Sequence, residues 1–147
     1  ERYIRQGQLL HNLFSVIRTQ DDIPSAIERL RFEGIIESAE QERQIKKLTE
    51  WALNHPLVKE WYSGNWELYN ECAIIYKEKG ELQTRRPDRV MMKDGKVVVV
   101  VDFKFGKKRT DYNKQVRDYM NLLSDMGYEN IRGYLWYVFD NEFVEVK

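Results

Sequence analysis

A carboxylate and an ammonium group stand two residues apart at the end of the most apolar run in the chain. Five consecutive valines, residues 97–101, are followed by Asp102, Phe103 and Lys104. Alternate residues of a strand share a face, so Asp102 and Lys104 point the same way. Charges at the end of a buried strand are costly unless they are paired or used. A plain ion pair at a fraying strand end would explain them, but the pattern favours a functional site.

A second aspartate follows a proline in the segment Arg86-Pro87-Asp88. Pro87 removes a ladder donor and pushes Arg86 into an extended conformation. Asp88 therefore follows a break in the strand expected to pair with the valine strand. Alone, this segment is also typical of an edge-strand bulge with a solvated aspartate. Together with Asp102 and its lysine, it indicates an active site.

The turn at residues 94–95, Asp-Gly, decides whether the two aspartates meet. A regular two-residue turn would put Asp88 on the sheet face opposite Asp102, because directly opposed residues share a face. A shift of one residue reverses this. A shared site therefore requires either a three-residue loop with Gly95 in a left-handed conformation, or a bulge near Pro87.

The elements that position these residues follow from a change of periodicity near residue 66. Before it, apolar residues recur at helical spacing; after it, they alternate. We expect helices over residues 3–18, 22–34, 38–54 and 57–62, with a capping-box pattern of Ser38 and Gln41 at the start of the third and His55 as a cap at its C-terminal end. We expect strands over 69–76, 82–92, 96–104 and 131–139, a helix over 111–126 before the fourth strand, and a candidate fifth strand over 143–146. Three strands in succession and a helical crossover predict an α/β (α+β) fold with a mixed sheet.

The chain resembles a nuclease family at these same residues. Pro87-Asp88, thirteen residues and then residues 102–104 resemble the PD-(D/E)xK nuclease signature. Residues 7–11 (Gly-Gln-Leu-Leu-His), residues 88–90 (Asp-Arg-Val) and the later pair Gln115 and Tyr119 resemble its RecB/AddA-like branch. That branch is often the C-terminal domain of a UvrD-type helicase-nuclease. The resemblance covers about residues 4 to 139 and implies a restriction-endonuclease-like αβββαβ core.

The resemblance also implies a chemistry: a Mg²⁺- or Mn²⁺-dependent deoxyribonuclease, more typical of an exonuclease than an endonuclease, acting in DNA repair. The metal ligands would be His11, Asp88, Asp102 and the carbonyl of Phe103, which suit a hard cation. A histidine would favour Mn²⁺. Lys104 would act on the attacking water. From spacing alone, His11 fits an ordinary surface histidine.

Gln115 and Tyr119 are four residues apart and share a helical face. The resemblance gives them catalytic roles, aimed at the active site and the nucleic-acid backbone. An exposed glutamine beside a half-buried tyrosine would explain them nearly as well. Glu71 is a possible further acidic residue. The basic residues near these motifs are candidate phosphate contacts: Arg85, Arg86, Arg89, Lys107, Lys108, Arg109, Lys114 and Arg117.

Composition limits the function classes. Hydrophobic residues make up 42% of 147 residues, which predicts a single domain with a packed core. The change of periodicity divides this domain into a helical part over residues 1–65 and a catalytic sheet over residues 66–147. The formal net charge is zero, so a protein that coats nucleic acid through bulk charge is disfavoured. The four tryptophans, at positions 51, 61, 66 and 136, are expected in the core.

The expected partners are DNA and helicase domains of the same or another chain, with no membrane. The longest apolar run, residues 97–101, is too short to span a bilayer. A single cysteine, Cys72, cannot form an internal disulfide, which is typical of a cytoplasmic protein. The chain begins with Glu1, as expected for a piece of a longer protein. The competing interpretations are an inactive nuclease fold that binds nucleic acid or scaffolds, and a purely structural helicase appendage.

Overall fold

A computed structural model describes residues 2–69 and 73–147 of the chain. The chain forms two compact units, Glu1–Trp66 and Glu67–Lys147. The expectations for Glu71 and Cys72 fall outside the described residues. None of the helices in the described ranges is long and apolar enough to cross a membrane.

The first unit is helical throughout. It contains α1 (Arg2–Val16), a short 3-10 helix (Gln20–Asp22), α2 (Ile23–Phe32), α3 (Ala39–Leu53) and α4 (Pro56–Trp61). Its core is built from the apolar stripes of these helices, as the helical periodicity predicts. The buried members include Leu10, Leu13, Phe14, Ile27 and Ile45.

Two helix starts in this unit differ from the sequence prediction. The Ser38 hydroxyl accepts a hydrogen bond from the Gln41 backbone N–H (3.1 Å), but the Gln41 side chain accepts from Glu37 rather than from Ser38. The expected capping box is therefore only half formed. His55, expected to cap the end of a helix, instead begins α4, because its Nδ1 accepts from the Leu57 N–H at 3.2 Å.

The expectation that all four tryptophans are buried is wrong for Trp51, which is 42% exposed. The inner face of α3 carries Ile45, Thr49 and Ala52, so Trp51 lies away from it. Thr49 takes the buried position because its hydroxyl donates to the Ile45 carbonyl at 2.7 Å, which satisfies the polar group. The sequence prediction placed Trp51 in the core because it is large and apolar. It did not anticipate that Thr49 could be buried with its hydroxyl group hydrogen-bonded within the helix.

The second unit has a five-stranded mixed sheet in the order β1-β4-β5-β6-β7 and a separate two-stranded sheet, β2-β3. The elements are β1 (Glu67–Leu68), β2 (Ile74–Glu78), β3 (Glu81–Arg85), β4 (Arg89–Lys93), β5 (Val97–Lys104), α5 (Thr110–Asp125), β6 (Asn130–Tyr137) and β7 (Glu142–Val146). Among the strands of the described residues, only β5 and β6 pair in parallel, and α5 connects them. The α+β class, the mixed sheet and the central place of the valine strand are confirmed.

Pro87 divides the segment predicted as one strand over residues 82–92. The part before the proline is β3, which pairs with β2 alone, and the part after it is β4, which joins the main sheet. The strand expected over residues 69–76 overlaps only β2, which begins at Ile74 and pairs with β3, whereas β1 lies before the expected strand and pairs with β4. A proline cannot donate to a ladder, so the chain leaves one sheet and enters another at this point.

The turn between β4 and β5 has three residues. Lys93 pairs with Val97, which leaves Asp94, Gly95 and Lys96 in the loop. Asp94 and Gly95 both have positive φ, at 55° and 64°. The three-residue loop with a left-handed Gly95 is therefore confirmed over the regular two-residue turn, and Lys96 is the extra residue.

Helix α5 packs on the sheet face that carries alternate residues of β5. Val98 and Val100 are fully buried there against Tyr119 and Leu123. The approach is tight at Gly133 on β6, where an added Cβ would stand 2.5 Å from the sulfur of Met120 and 2.7 Å from a methyl group of Val116. This tight contact brings the side chains of α5 onto the same face as Asp102.

Candidate active site

Asp88 and Asp102 lie opposite one another on the face covered by α5. Arg89 and Val101 are the last pair of the ladder, Asp88 and Asp102 are the next residues outward, and their carboxyl groups are in hydrogen-bonding contact. The Phe103 N–H donates to Oδ2 of Asp88 at 2.8 Å, which fixes this carboxylate beside the end of β5. Asp88 and Asp102 therefore lie on the same face of the sheet, as a shared site requires.

Pro87 has a direct part in this arrangement. Continuing the same register outward places Pro87 opposite Phe103. A proline has no N–H, so the Phe103 carbonyl receives no ladder bond from it. The N–H of Phe103 donates to the Asp88 side chain. Because the N–H and C=O of one strand residue point to the same edge, the Phe103 carbonyl also points to the edge beside Asp88. The β4–β5 ladder therefore ends next to the two carboxylates. The Phe103 carbonyl, which was predicted as a metal ligand, lies on the same side of β5 as Asp88.

Asp102 is buried, with 3% of its surface exposed. Its Oδ2 lies 2.9 Å from Nζ of Lys104. The two atoms form a close ion pair, and the carboxyl group of Asp88 is a second neighbour of Asp102. Burying two carboxyl groups beside a single ammonium is costly unless further positive charge or a proton balances them.

The two carboxyl groups interact strongly. Burial, followed by the hydrogen bond and charge of the Asp88 carboxyl, raises the pKa of Asp102 to about 7, although Lys104 opposes both effects. Like charges this close do not both ionise readily in a dry site. At neutral pH the pair therefore favours a shared proton or a cation between the carboxylates.

Lys104 is held from three sides. Its Nζ donates to Oε1 of Gln115 at 3.1 Å and lies 4.3 Å from the centre of the Tyr112 ring, besides its ion pair with Asp102. An ammonium over an aromatic face is attracted by the ring quadrupole. The site thus restricts this flexible side chain to one position.

Gln115 continues the network to Tyr119. Its Nε2 donates to the Tyr119 hydroxyl at 3.3 Å. Tyr119 is 3% exposed and Gln115 is half-buried. The alternative of an exposed glutamine beside a half-buried tyrosine is therefore wrong. Burial, followed by the charges of Asp102 and Asp88, raises the pKa of Tyr119 to about 12. Its phenol therefore stays protonated and can donate a hydrogen bond.

Tyr112 was missed by sequence reasoning. It lies three residues before Gln115 and seven before Tyr119, a spacing that puts all three on one stripe of α5. That spacing was available in the sequence. Nothing in it showed that the stripe would face an ammonium rather than only apolar side chains.

His11 belongs to the helical unit. It lies on α1, is half-buried, and lines a cavity of about 470 Å³ together with Arg29 and Leu30. Its part in a metal site stays a prediction. Within residues 2–69 and 73–147, no three His, Cys, Asp or Glu side chains gather as a metal-binding group.

The basic residues proposed as phosphate contacts divide by exposure. Arg89 is 1% exposed, so the candidate role in contacting phosphate is wrong for it, because β4 is buried at this point. Arg86 and Lys107 are exposed. The others have these partners: Lys108 with Glu142, Arg109 with Asp111, Lys114 and Arg85 with Asp118, and Arg117 with the Lys147 carbonyl.

No model of a known protein family matches the chain, and no curated protein matches it with significant similarity.

Proposed function

We propose that this chain is a metal-dependent nuclease domain that hydrolyses phosphodiester bonds in DNA. The observation that carries the proposal is the opposed pair Asp88 and Asp102, with Nζ of Lys104 at 2.9 Å from the buried Asp102 oxygen. Two carboxylates beside a lysine, at a strand end where the ladder stops, suit hydrolysis of a phosphate ester. Helicase domains are the partners that the sequence resemblance implies.

The donor set fits a hard divalent cation. Mg²⁺ is commonly bound through one or two carboxylates together with water and substrate phosphate oxygens. Asp88, Asp102 and the Phe103 carbonyl would hold it here. Burial and the neighbouring Asp88 carboxyl raise the pKa of Asp102, and a divalent cation held between the two carboxylates would offset their mutual repulsion. A bound Mg²⁺ or Mn²⁺ would polarise the phosphate and lower the pKa of its water.

The chain's own residues supply the remaining functions. Lys104 offers an ammonium that offsets the negative charge developing on the phosphate and orients the attacking water. Gln115 accepts from this ammonium and donates to Tyr119, so it fixes the direction in which the lysine points. Tyr119 keeps its proton because its pKa is raised to about 12. It therefore acts as a hydrogen-bond donor and not as a base.

Cleavage of labelled DNA tests the proposal. We expect the chain to degrade linear DNA with Mg²⁺ or Mn²⁺, to spare closed circular DNA, and to be inactive in a chelator. Lys104→Ala should lower the rate by about 10²–10⁴-fold, the usual loss for an acid–base group. Lys96→Ala is the matched control, because Lys96 is exposed in the β4–β5 turn.

Thermal melting of each variant keeps loss of folding separate from loss of chemistry. Metal-independent cleavage would overturn the proposal, as would equal rates for Lys104→Ala and Lys96→Ala. DNA binding without any cleavage by the wild type would support the inactive binding module instead.

A further inference from the structure

A polar cleft lies in the sheet unit, apart from the carboxylate pair. It has a volume of about 300 Å³, at the small end of ligand-binding cavities. One wall is the β2–β3 hairpin, with Tyr76 and Arg85, and the other is α5, with Lys114, Asp118 and Asn121. None of these residues belongs to the Asp88–Asp102–Lys104 arrangement.

The cleft has more positive than negative charge. Its lining contains the cations Lys77, Arg85 and Lys114 against the acids Glu78 and Asp118. Asp118 serves two cations at once, because its Oδ2 lies 3.2 Å from the Lys114 ammonium and 3.7 Å from the Arg85 guanidinium. The Arg85 side chain is 34% exposed and that of Lys114 is 74% exposed, so both can reach an anion in the cleft.

Tyr76 and Arg85 are in contact on the hairpin wall. Arg85 Nε donates to the Tyr76 hydroxyl at 2.7 Å, and the guanidinium carbon stands 5.7 Å from the centre of the ring. The two residues are diagonal neighbours on one face of the hairpin, because Tyr76 pairs with Gln83. Aromatic rings and guanidinium planes are the surfaces on which unpaired bases stack.

The cleft adjoins the nuclease centre along α5. Asp118 precedes Tyr119 in the helix, and the stripe of Asp118 and Leu122 borders the stripe of Gln115 and Tyr119. The charge of Arg85 also acts on the Tyr119 hydroxyl. A nucleic-acid strand with one phosphate at the carboxylates would therefore carry a neighbouring nucleotide past Arg85.

We propose that this cleft binds one nucleotide of a single DNA strand next to the scissile phosphate, with its phosphate on Arg85 and Lys114 and its base against Tyr76. The inference rests on the proposed nuclease function and adds a substrate class to it. A space of this size between a hairpin and a helix admits one unpaired nucleotide, whereas a base in a duplex stays stacked and paired.

Equilibrium binding in a chelator, where no cleavage occurs, tests this inference separately from the nuclease activity. The probe is a fluorescein-labelled oligothymidylate of about 12 nucleotides, within the site sizes of single-strand-binding folds, measured by anisotropy over a range of salt concentrations. Arg85→Gln should weaken binding about tenfold, as for one charge-assisted contact. It should also reduce the salt slope by about 0.7, the value for one phosphate on a single strand.

Three further variants sharpen the result. Arg85→Lys should keep the salt slope, because it keeps the charge. Asp118→Asn should strengthen binding, because it removes the acid that competes with phosphate. Lys96→Gln, which removes one exposed charge in the β4–β5 turn, should change neither affinity nor slope.

Equal binding by Arg85→Gln and Lys96→Gln would overturn the inference, as would an unchanged salt slope for Arg85→Gln. An equal loss on a blunt duplex of the same length would overturn the assignment to single strands. If the Arg85 effect is found but the wild type cuts no DNA, the cleft stands and the nuclease proposal fails. If the wild type cuts DNA without an Arg85 effect, only the cleft fails.

Discussion

Two hairpins of the sheet unit, β2–β3 and β4–β5, turn with similar backbone but differ in loop length. Lys79–Gly80 and Asp94–Gly95 each supply two residues with positive φ. Two residues connect β2 to β3, whereas three connect β4 to β5, with Lys96 as the addition. The turn sequences alone, Lys-Gly and Asp-Gly, do not reveal this difference.

Burial explains it. The β2–β3 hairpin leaves one face in solvent, where Ile75 and Leu82 are 67% and 70% exposed. In β5 the residues from Val98 to Phe103 are all buried, so both faces are committed to the core. Register in β4–β5 is therefore set by which side chains must be buried, and the loop adjusts to it. This is what brings Asp88 and Asp102 to one face.

The largest effect should come from deleting one residue within each hairpin. Deletion of Val99 turns every residue on one side of it to the wrong face, so we expect no cooperative unfolding transition. Deletion of Gln83 in β3 reorients mostly exposed residues and should cost about 1 kcal/mol. Thermal and urea unfolding followed by circular dichroism measure both. Similar losses for the two deletions would contradict the role assigned to burial.

The buried hairpin also carries a titratable group that should make stability depend on pH. The pKa of Asp102 is raised to about 7 in the folded protein, against about 3.9 in an unfolded chain. The folded state therefore binds more protons between these values, and the free energy of unfolding should fall as pH rises from about 4 to about 7, then level off.

The fall attributable to Asp102 should be on the order of 4 kcal/mol without divalent metal. Urea unfolding at several pH values in a chelator, compared with Asp102→Asn, isolates this contribution because the variant cannot ionise. If the wild type and Asp102→Asn show the same pH dependence, burial of the Asp102 carboxyl does not lower the free energy of unfolding at neutral pH, and the prediction is wrong.

The hairpins also differ in how they meet α5. The main sheet leaves no space at Gly133, whereas the β2–β3 hairpin leaves the cleft of about 300 Å³. Gly133→Ala should cost about 2 kcal/mol, the usual penalty for overpacking a core. Asn121→Ala, in the cleft wall, should cost less than about 0.5 kcal/mol. Comparable melting temperatures for both variants would show that α5 can move away from β6.

The smallest effect should come from deleting Lys96. Its removal leaves a two-residue turn that still pairs Lys93 with Val97, so the register and the Asp88–Asp102 pair are retained. We expect stability within about 1 kcal/mol of wild type, as for changes at exposed loops. A nuclear magnetic resonance spectrum with large shifts throughout β5 would contradict the view that the core sets the register.

Much of the fold follows from local patterns in the sequence. The valine run predicted the central strand, and the parity of Asp88 against Asp102 narrowed the turn to two alternatives, a three-residue loop or a bulge near Pro87, of which the loop is the one observed. Pro87 was recognised as an interruption. Its consequence, a change from one sheet to another, was not, because the choice of partner strand depends on distant residues.

The errors at single residues have a common origin. Trp51 is exposed because Thr49 satisfies its own hydroxyl, and His55 begins a helix because it accepts a backbone hydrogen bond. The contact between Lys104 and Tyr112 is equally invisible in the sequence. Each depends on a polar group finding a partner in three dimensions, which neither periodicity nor residue type encodes.

Binding of Mn²⁺ measured by calorimetry tests the central claim most directly, namely that Asp88 and Asp102 form one cation site. The wild type should bind Mn²⁺, Asp102→Asn should lose that binding, and Lys104→Ala should retain it, because the lysine is not a ligand. Equal Mn²⁺ binding by the wild type and Asp102→Asn would contradict the account.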